Sequence, residues 1–557
     1  MKKDQSKTIA ILQLTRQGDI VQTLHVFRTL KELHPEVRLI LISRERFTSG
    51  IQFLIDQTFN KTFALKPLDW VNKDDSLEQV LKKQDEQIDA INDDEEINVL
   101  INLSFSKSSA LLSRFINAPY KLGLVADRIG GEIAIDNWSQ YISSSVMSGP
   151  LNGLALVDIY KMITGVKTIP PEKITEELKE SVSEQNIVIH PFASHAKKRW
   201  KPQKWSEIIY KVLKDNPTLK VHIVGGAADH DESQKIINTP SLKNFSEQIY
   251  LHAGNANVQD TWNLISSCTL FVGHDSMVSH LASLAKKTSL TISLGTVRSH
   301  ETAPYGQDSY VMAPKTKCFP CFPTDACETY QCHADISYHV VASSISTLLA
   351  SGQIETQDIE NNISPFHLGS FDFYKSDFSQ SGLMRLVNIN PHSAPQTKVI
   401  VQQFLRMAWL YLLEQKEEQL NFYEITPKVA QDLRNLQAGL EHLFDLCEFG
   451  KKYSLQILEE VASDTVEIGK LKEHSAKIDE IDELSLSLKN AHPYLTPIIN
   501  YLALQKATLG GDNLVKLSES SFLTYDKGSL LVKILFDLID KNLQNTEQSN
   551  KRAEADV

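Results

Sequence analysis

Four stretches of this 557-residue sequence place polar, chemistry-bearing residues where apolar runs end. In QLTRQGDIVQTL, Gly18 permits a tight turn and Asp19 stands directly before a helical pattern. Asp19 reads either as a helix cap or as a carboxylate at a cleft, able to act as general base. In VIHPFASHAKKRWKPQKWSEII, a strand ends at His190, and Lys197, Lys198 and Arg199 precede a helix opened by Pro202. Three cations in such a loop suit a phosphate, or form a solvated charge run. In HIVGGAADHDES, Gly225 and Gly226 let the backbone approach a ligand, and Asp229 or Asp231 could accept from ribose hydroxyls. They could equally be the acidic first turn of a helix. In LFVGHDSMVSHLASLA, Asp275 or Ser276 caps a helix, and His280 falls near the end of its first turn. His280 is either a satisfied core histidine or a second site group. These junctions show no metal-ligand spacing such as His-x-x-x-His, so the chemistry visible in them calls for no divalent cation and no cofactor.

The elements that must position these residues alternate. KTIAILQL has strand length, and Ile20, Leu24, Phe27, Leu30 and Leu33 then recur at helical spacing up to Pro35. VRLILISRE and INVLINLS are further strands. Strand–helix–strand repeats imply a parallel sheet with right-handed crossovers. The alternation restarts at NIVIHPF and runs through LKVHIVGG, TLFVGHD and TSLTISLG. After about residue 361, segments such as TKVIVQQFLRMAWLYLLEQKEEQ read as amphipathic helices. The expected layout is an α/β domain over residues 1–170, a linker over 171–186 and a second α/β domain over 187–355. An all-α module over 361–545 and a disordered tail over 546–557 complete it. Two open α/β sheets facing each other make a cleft, with ligands beyond the carboxyl ends of the strands.

A net charge of −12 argues against a nucleic-acid binder. The first apolar run is broken by Thr15 and Arg16, which reads as a buried strand rather than a signal core. No run of about 18 apolar residues occurs, so no spanning helix is expected. Six cysteines in so long a chain fit a reducing cytoplasm. Cys318, Cys321, Cys327 and Cys332 contain one Cys-x-x-Cys only. That suits a disulfide-linked or packed thiol loop better than a zinc site.

Together, GDIVQTL, KKRWKPQKW, VGG with its acidic residues, and GHDSMVSHLASL resemble glycosyltransferase family 9, the heptosyltransferases, in order and spacing. The resemblance covers about residues 7–350. It implies a GT-B fold, two Rossmann-like domains facing a cleft, and inverting, metal-independent transfer from ADP-heptose in building the bacterial lipopolysaccharide core. Carried onto this sequence, it makes Asp19 the general base, with Gly18 and Arg16 on the acceptor side. Lys198 would contact the donor phosphates, and Asp275 the sugar hydroxyls. Ser276 and Met277 would offer backbone N–H groups to the diphosphate, and His280 matches the family histidine. Gly226 with Asp229 or Asp231 would face the nucleoside. The cysteine-rich stretch is similar to one found in a branch of the family.

The sequence departs from that pattern at His25, where proline is usual, at Met277, where glycine is common, and at Arg16, where the residue is usually small. The implied partners are a nucleotide-sugar donor and a glycan, lipid-linked or protein acceptor, with a protein partner as one role for the helical module. The implied location is the cytoplasm, including the inner membrane face. The competing reading is a catalytically altered GT-B fold serving as a binding or scaffold protein through that module.

Overall fold

The computed structural model describes residues 7–66, 76–127, 130–167, 185–419, 421–510 and 513–555. The linker expected at 171–186 lies, up to residue 184, outside them. The chain forms two compact units. One joins Met1–Glu132 to Leu154–Ser393, and the other joins Ile133–Gly153 to Ala394–Val557.

The first unit holds two α/β sheets. The first sheet contains β1 (Thr8–Leu12), β2 (Arg38–Arg44), β3 (Lys61–Leu65), β4 (Val99–Asn102), β5 (Tyr120–Ala126) and β6 (Glu132–Ala134), in the order β3-β2-β1-β4-β5-β6. β1 pairs in parallel with β2 and β4, Ala10 standing opposite Ile40 and Leu100. These strands read as continuous apolar runs because helices cover both faces of a parallel sheet. Ala10, Leu12, Ile40, Ile42 and Leu100 are the resulting core.

The second sheet is built from β7 (Asn186–His190), β8 (Lys220–Ile223), β9 (Ile249–Leu251), β10 (Leu270–His274), β11 (Ser289–Ile292), β12 (Ser309–Pro314), β13 (Phe371–Phe378) and β14 (Met384–Asn388). Its order is β14-β13-β12-β11-β10-β7-β8-β9. From β7 to β12 it repeats the doubly wound order of the first sheet. In both, strand order reverses beside the first strand, between β1 and β4 and between β7 and β10. Loops leaving there diverge and open a crevice.

β13 and β14 correct the expected boundaries. They add two antiparallel strands to the sheet inside the span read as helical from residue 361. FDFYKSDF carries a strand signal in its alternating aromatics: Phe371 and Phe373 are fully buried. Asp372, buried between them, accepts from Asn388 Nδ2 (3.0 Å) and Tyr374 Oη (3.0 Å).

The second unit is helical. Its helices are Thr397–Glu414, Pro427–Val461, Ile468–Ala491, Thr496–Ala507 and Leu514–Ala555. They enclose residues 133–153, which the sequence reading assigned to the first α/β domain. Trp138 Nε1 donates to Glu414 (2.6 Å), and Tyr141 packs edge-on against Trp409. Arg406, 1% exposed, donates to the Gly153 carbonyl (3.1 Å) and pairs with Glu418 (2.8 Å). Buried carbonyls of residues 150–153 need donors, and this helix supplies them. The expected disordered tail is also corrected. The last helix continues to Ala555, and Glu547 pairs with Arg434 (3.0 Å).

Candidate active site

The crevice between the two sheets is a cavity of about 890 Å³. Arg16, Gly18 and Asp19 line it from the loop after β1, and Lys198 from the loop after β7. Gly226 and Asp229 line it after β8, and Asp275, Ser276, Met277 and His280 after β10. Asp231 is not in its lining and is exposed on the neighbouring helix. Of the two carboxylates left open by the sequence, Asp229 is the one at the cavity.

Asp19 is neither an N-cap nor unattached. The helix Gln17–Leu33 starts two residues earlier, so Asp19 is its third residue. One carboxylate oxygen accepts the Arg16 N–H (3.0 Å), which fixes the side chain at the helix start while it lines the cavity. Gly18 packs against the second sheet's helix: a Cβ there would lie in ordinary contact, 3.4 Å from the His280 ring and 3.6 Å from Met277 Cα. The first helix thereby comes close to the helix Met277–Leu284.

The three cations of the KKR run separate. The residues Ala196–Lys198 form a 3₁₀ turn, with three residues per turn, so adjacent side chains diverge. Lys198 enters the cavity and donates to Asp275 Oδ1 (2.7 Å). Thr302 Oγ1 donates to the other oxygen (2.7 Å). Burial pushes the Asp275 carboxyl up, but the charges of Lys198 and His280 and these two bonds outweigh it, holding the group below the usual carboxylate range. Arg199 instead pairs with Glu232 (3.4 Å), and Lys197 turns away from the cavity. His280 is buried. Burial holds its imidazole below the usual value, against the opposing charges of Asp275 and Asp19.

Sequence reasoning missed four groups. Ser276 Oγ meets His190 Nδ1 (3.1 Å), and burial lowers His190 to about 4. Trp200 N–H donates to His274 Nε2 (3.0 Å), and His274 Nδ1 lies 3.2 Å from the Ile292 carbonyl. His274 is therefore neutral, protonated on Nδ1, and ties the lysine loop to the end of β10. Asn257, which caps the helix Val258–Ser267, and Thr302, at the end of the short helix Ser299–Thr302, also line the cavity. His190 and His274 carried a signal, each being a polar residue closing an apolar strand.

His25 faces inward. Its Nε2 lies 3.1 Å from Ser283 Oγ, and its ring packs on Tyr305. Tyr305 Oη donates to the buried Asp158 (2.6 Å). The cysteines form no disulfide; in the cysteine-rich loop Cys332 is buried, Cys321 and Cys327 are half-buried and Cys318 is exposed. Among the described residues no three His, Cys, Asp or Glu side chains group so as to hold a metal ion, and no helix is long and apolar enough to cross a membrane.

Residues 94–331 match the model of glycosyltransferase family 9 (heptosyltransferase). That match covers less than half of the chain, whose α/β part is GT-B-like and whose C-terminal region is mostly helical. The family 9-like match spans β4 to the cysteine-rich loop and so contains the lysine loop and the Asp275 turn. Solved structures with similarity include E. coli ADP-heptose lipopolysaccharide heptosyltransferase II, 17% identical over 62% of this chain and 99% of that one, TM-score 0.44. A family 9 glycosyl transferase from Veillonella parvula is 14% identical over 55% and 85%, TM-score 0.42. E. coli heptosyltransferase WaaC with ADP is 12% identical over 55% and 92%, TM-score 0.41. No curated protein matches the chain.

Proposed function

We propose that the cleft transfers a sugar, heptose or a relative, from an ADP-heptose-like nucleotide donor to a hydroxyl of a glycan, lipopolysaccharide-type or protein acceptor. Transfer is inverting and requires no metal. The observation that carries this reading is the meeting in one cavity of Asp19 from the first sheet with Lys198, Asp275 and the Ser276 helix start from the second.

The acceptor oxygen bonds to the anomeric carbon as the bond from that carbon to the diphosphate breaks. Asp19 takes the acceptor proton on the oxygen not bonded to Arg16 N–H. Charge developing on the leaving diphosphate is met by Lys198 and the first N–H groups of the Met277–Leu284 helix. Lys198 and Asp275 pair at 2.7 Å. An arriving diphosphate gives Lys198 new acceptors and releases an Asp275 oxygen for a sugar hydroxyl. Asp229 with Gly226 faces the nucleoside. A nucleotide-sugar donor places the work in the cytoplasm, at the inner membrane face where the acceptor is lipid-linked.

The test is nucleoside diphosphate release from a panel of nucleotide sugars. Asp19→Asn should lower kcat by about 10²–10⁴-fold while leaving nucleotide affinity intact. If the wild-type protein neither binds a nucleoside diphosphate nor releases one, the enzyme reading fails and the scaffold reading takes its place.

A further inference from the structure

The cysteine-rich loop takes no part in the reaction above, yet it is bonded to the residue beside Lys198. Lys197 is only 5% exposed. Its ammonium donates to the carbonyls of Phe322 (3.4 Å), Pro323 (3.4 Å) and Asp325. The Lys197 carbonyl lies 2.9 Å from His333 Nε2, at the far end of the same loop. Trp200 Nε1 donates to the His333 carbonyl (3.2 Å), as does Lys204. Gly295 completes the joint. Its φ of +61° is one that residues with a side chain rarely adopt, and a Cβ there would lie 2.5 Å from the Lys197 carbonyl oxygen. The Gly295 carbonyl accepts the Cys321 N–H (3.0 Å).

We infer that Lys197 is a positioning residue: it anchors the lysine loop to the cysteine-rich loop so that Lys198 is held at the donor phosphates. A buried ammonium is retained only where acceptors surround it. Here all three acceptors come from one turn, which Asp325 closes by accepting the Phe322 N–H (2.8 Å). With the lysine loop pinned at Lys197 on one side and at Trp200 by His274 on the other, the Lys198 backbone between them is fixed. Small misplacements of a group that must meet developing charge cost large factors in rate. This inference rests on the proposed donor role of Lys198, and its test separates the two.

The full-length chain is compared as wild type, K197M, K198M and the double variant. Affinity for ADP, UDP and GDP is measured by calorimetry, kcat and KM with the matching nucleotide sugars, and backbone amide exchange over residues 196–200. K197M should weaken nucleotide binding by about tenfold and change kcat and KM in the same proportion as K198M. In the K198M background it should add nothing, because it acts through Lys198. Amide exchange should quicken in 196–200 and stay unchanged elsewhere. The exposed variant D325N, which loosens the turn without leaving a buried charge, should shift exchange in the same direction by less. Additive losses, or unchanged exchange at 196–200, would overturn the inference. Should the wild type bind no nucleoside diphosphate, the enzyme reading fails separately, and the exchange result alone decides whether Lys197 anchors this loop.

Discussion

Lys197 and Lys198 show how little residue type says about role when two identical side chains are adjacent. Both are lysines in one basic run; a 3₁₀ turn sends one to carbonyl oxygens and the other to Asp275. The histidines make the same point through protons. Burial, before any other cause, holds His25 at about 3, His190 at about 4 and His274 at about 3. Each is neutral when folded and titrates near 6.5 when unfolded, so below that pH unfolding takes up protons. Stability should be complete above about pH 6.5 and fall as pH drops toward about 4. The slope is about 1.4 kcal/mol per pH unit for each histidine. Thermal unfolding measured across that range should show Tm dropping steeply on the acid side, with a shallower drop in His25→Gln. A flat profile would mean these rings are protonated in the folded chain.

At the scale of elements, three glycines set how closely the helices of the second unit approach. A Cβ on Gly450 would lie 2.5 Å from the Tyr525 ring, one on Gly439 2.6 Å from the His492 ring, and one on Gly528 2.9 Å from Cys447 Sγ. Gly450→Ala should therefore cost about 1–3 kcal/mol, since Tyr525 is 2% exposed and tied by its hydroxyl to Asp482 (2.7 Å). Chemical denaturation followed by far-UV circular dichroism would measure it, and an unchanged midpoint would show that the two long helices can separate to make room. The main helices were legible from three- and four-residue spacing, and β1, β2, β4, β7, β8, β10 and β11 as apolar runs, whereas β3, β5, β6, β9 and β12 were not read. β13 and β14 were not read, because they lie between helical patterns and their alternation is short. The start of the Gln17–Leu33 helix was also misjudged, which turned Asp19 from a cap candidate into a third helical residue.

Across the whole molecule, the helical unit is completed by residues that precede it by more than 240 positions, as Arg406 donating to the Gly153 carbonyl illustrates. Truncation after Ser393 should therefore strip Trp138, Tyr141, Ile142 and Val146 of their partners and give an aggregated product. The same truncation with residues 133–153 replaced by a short polar linker should remain soluble, as gel filtration of the two products would show. If the simple truncation is equally soluble and monodisperse, the segment does not depend on the helices. The sequence by itself determined the alternation of strands and helices, the polar residues at the strand ends, and the resemblance carried by their order. Those are local properties, fixed by periodicity and by the geometry of a strand feeding a helix. Only the tertiary structure decided that Asp19, Lys198 and Asp275 share one cavity, that Asp229 rather than Asp231 faces it, and that 133–153 belongs to the helices. These are contacts between residues far apart in the chain. They depend on which buried donor meets which buried acceptor, and no local pattern encodes that.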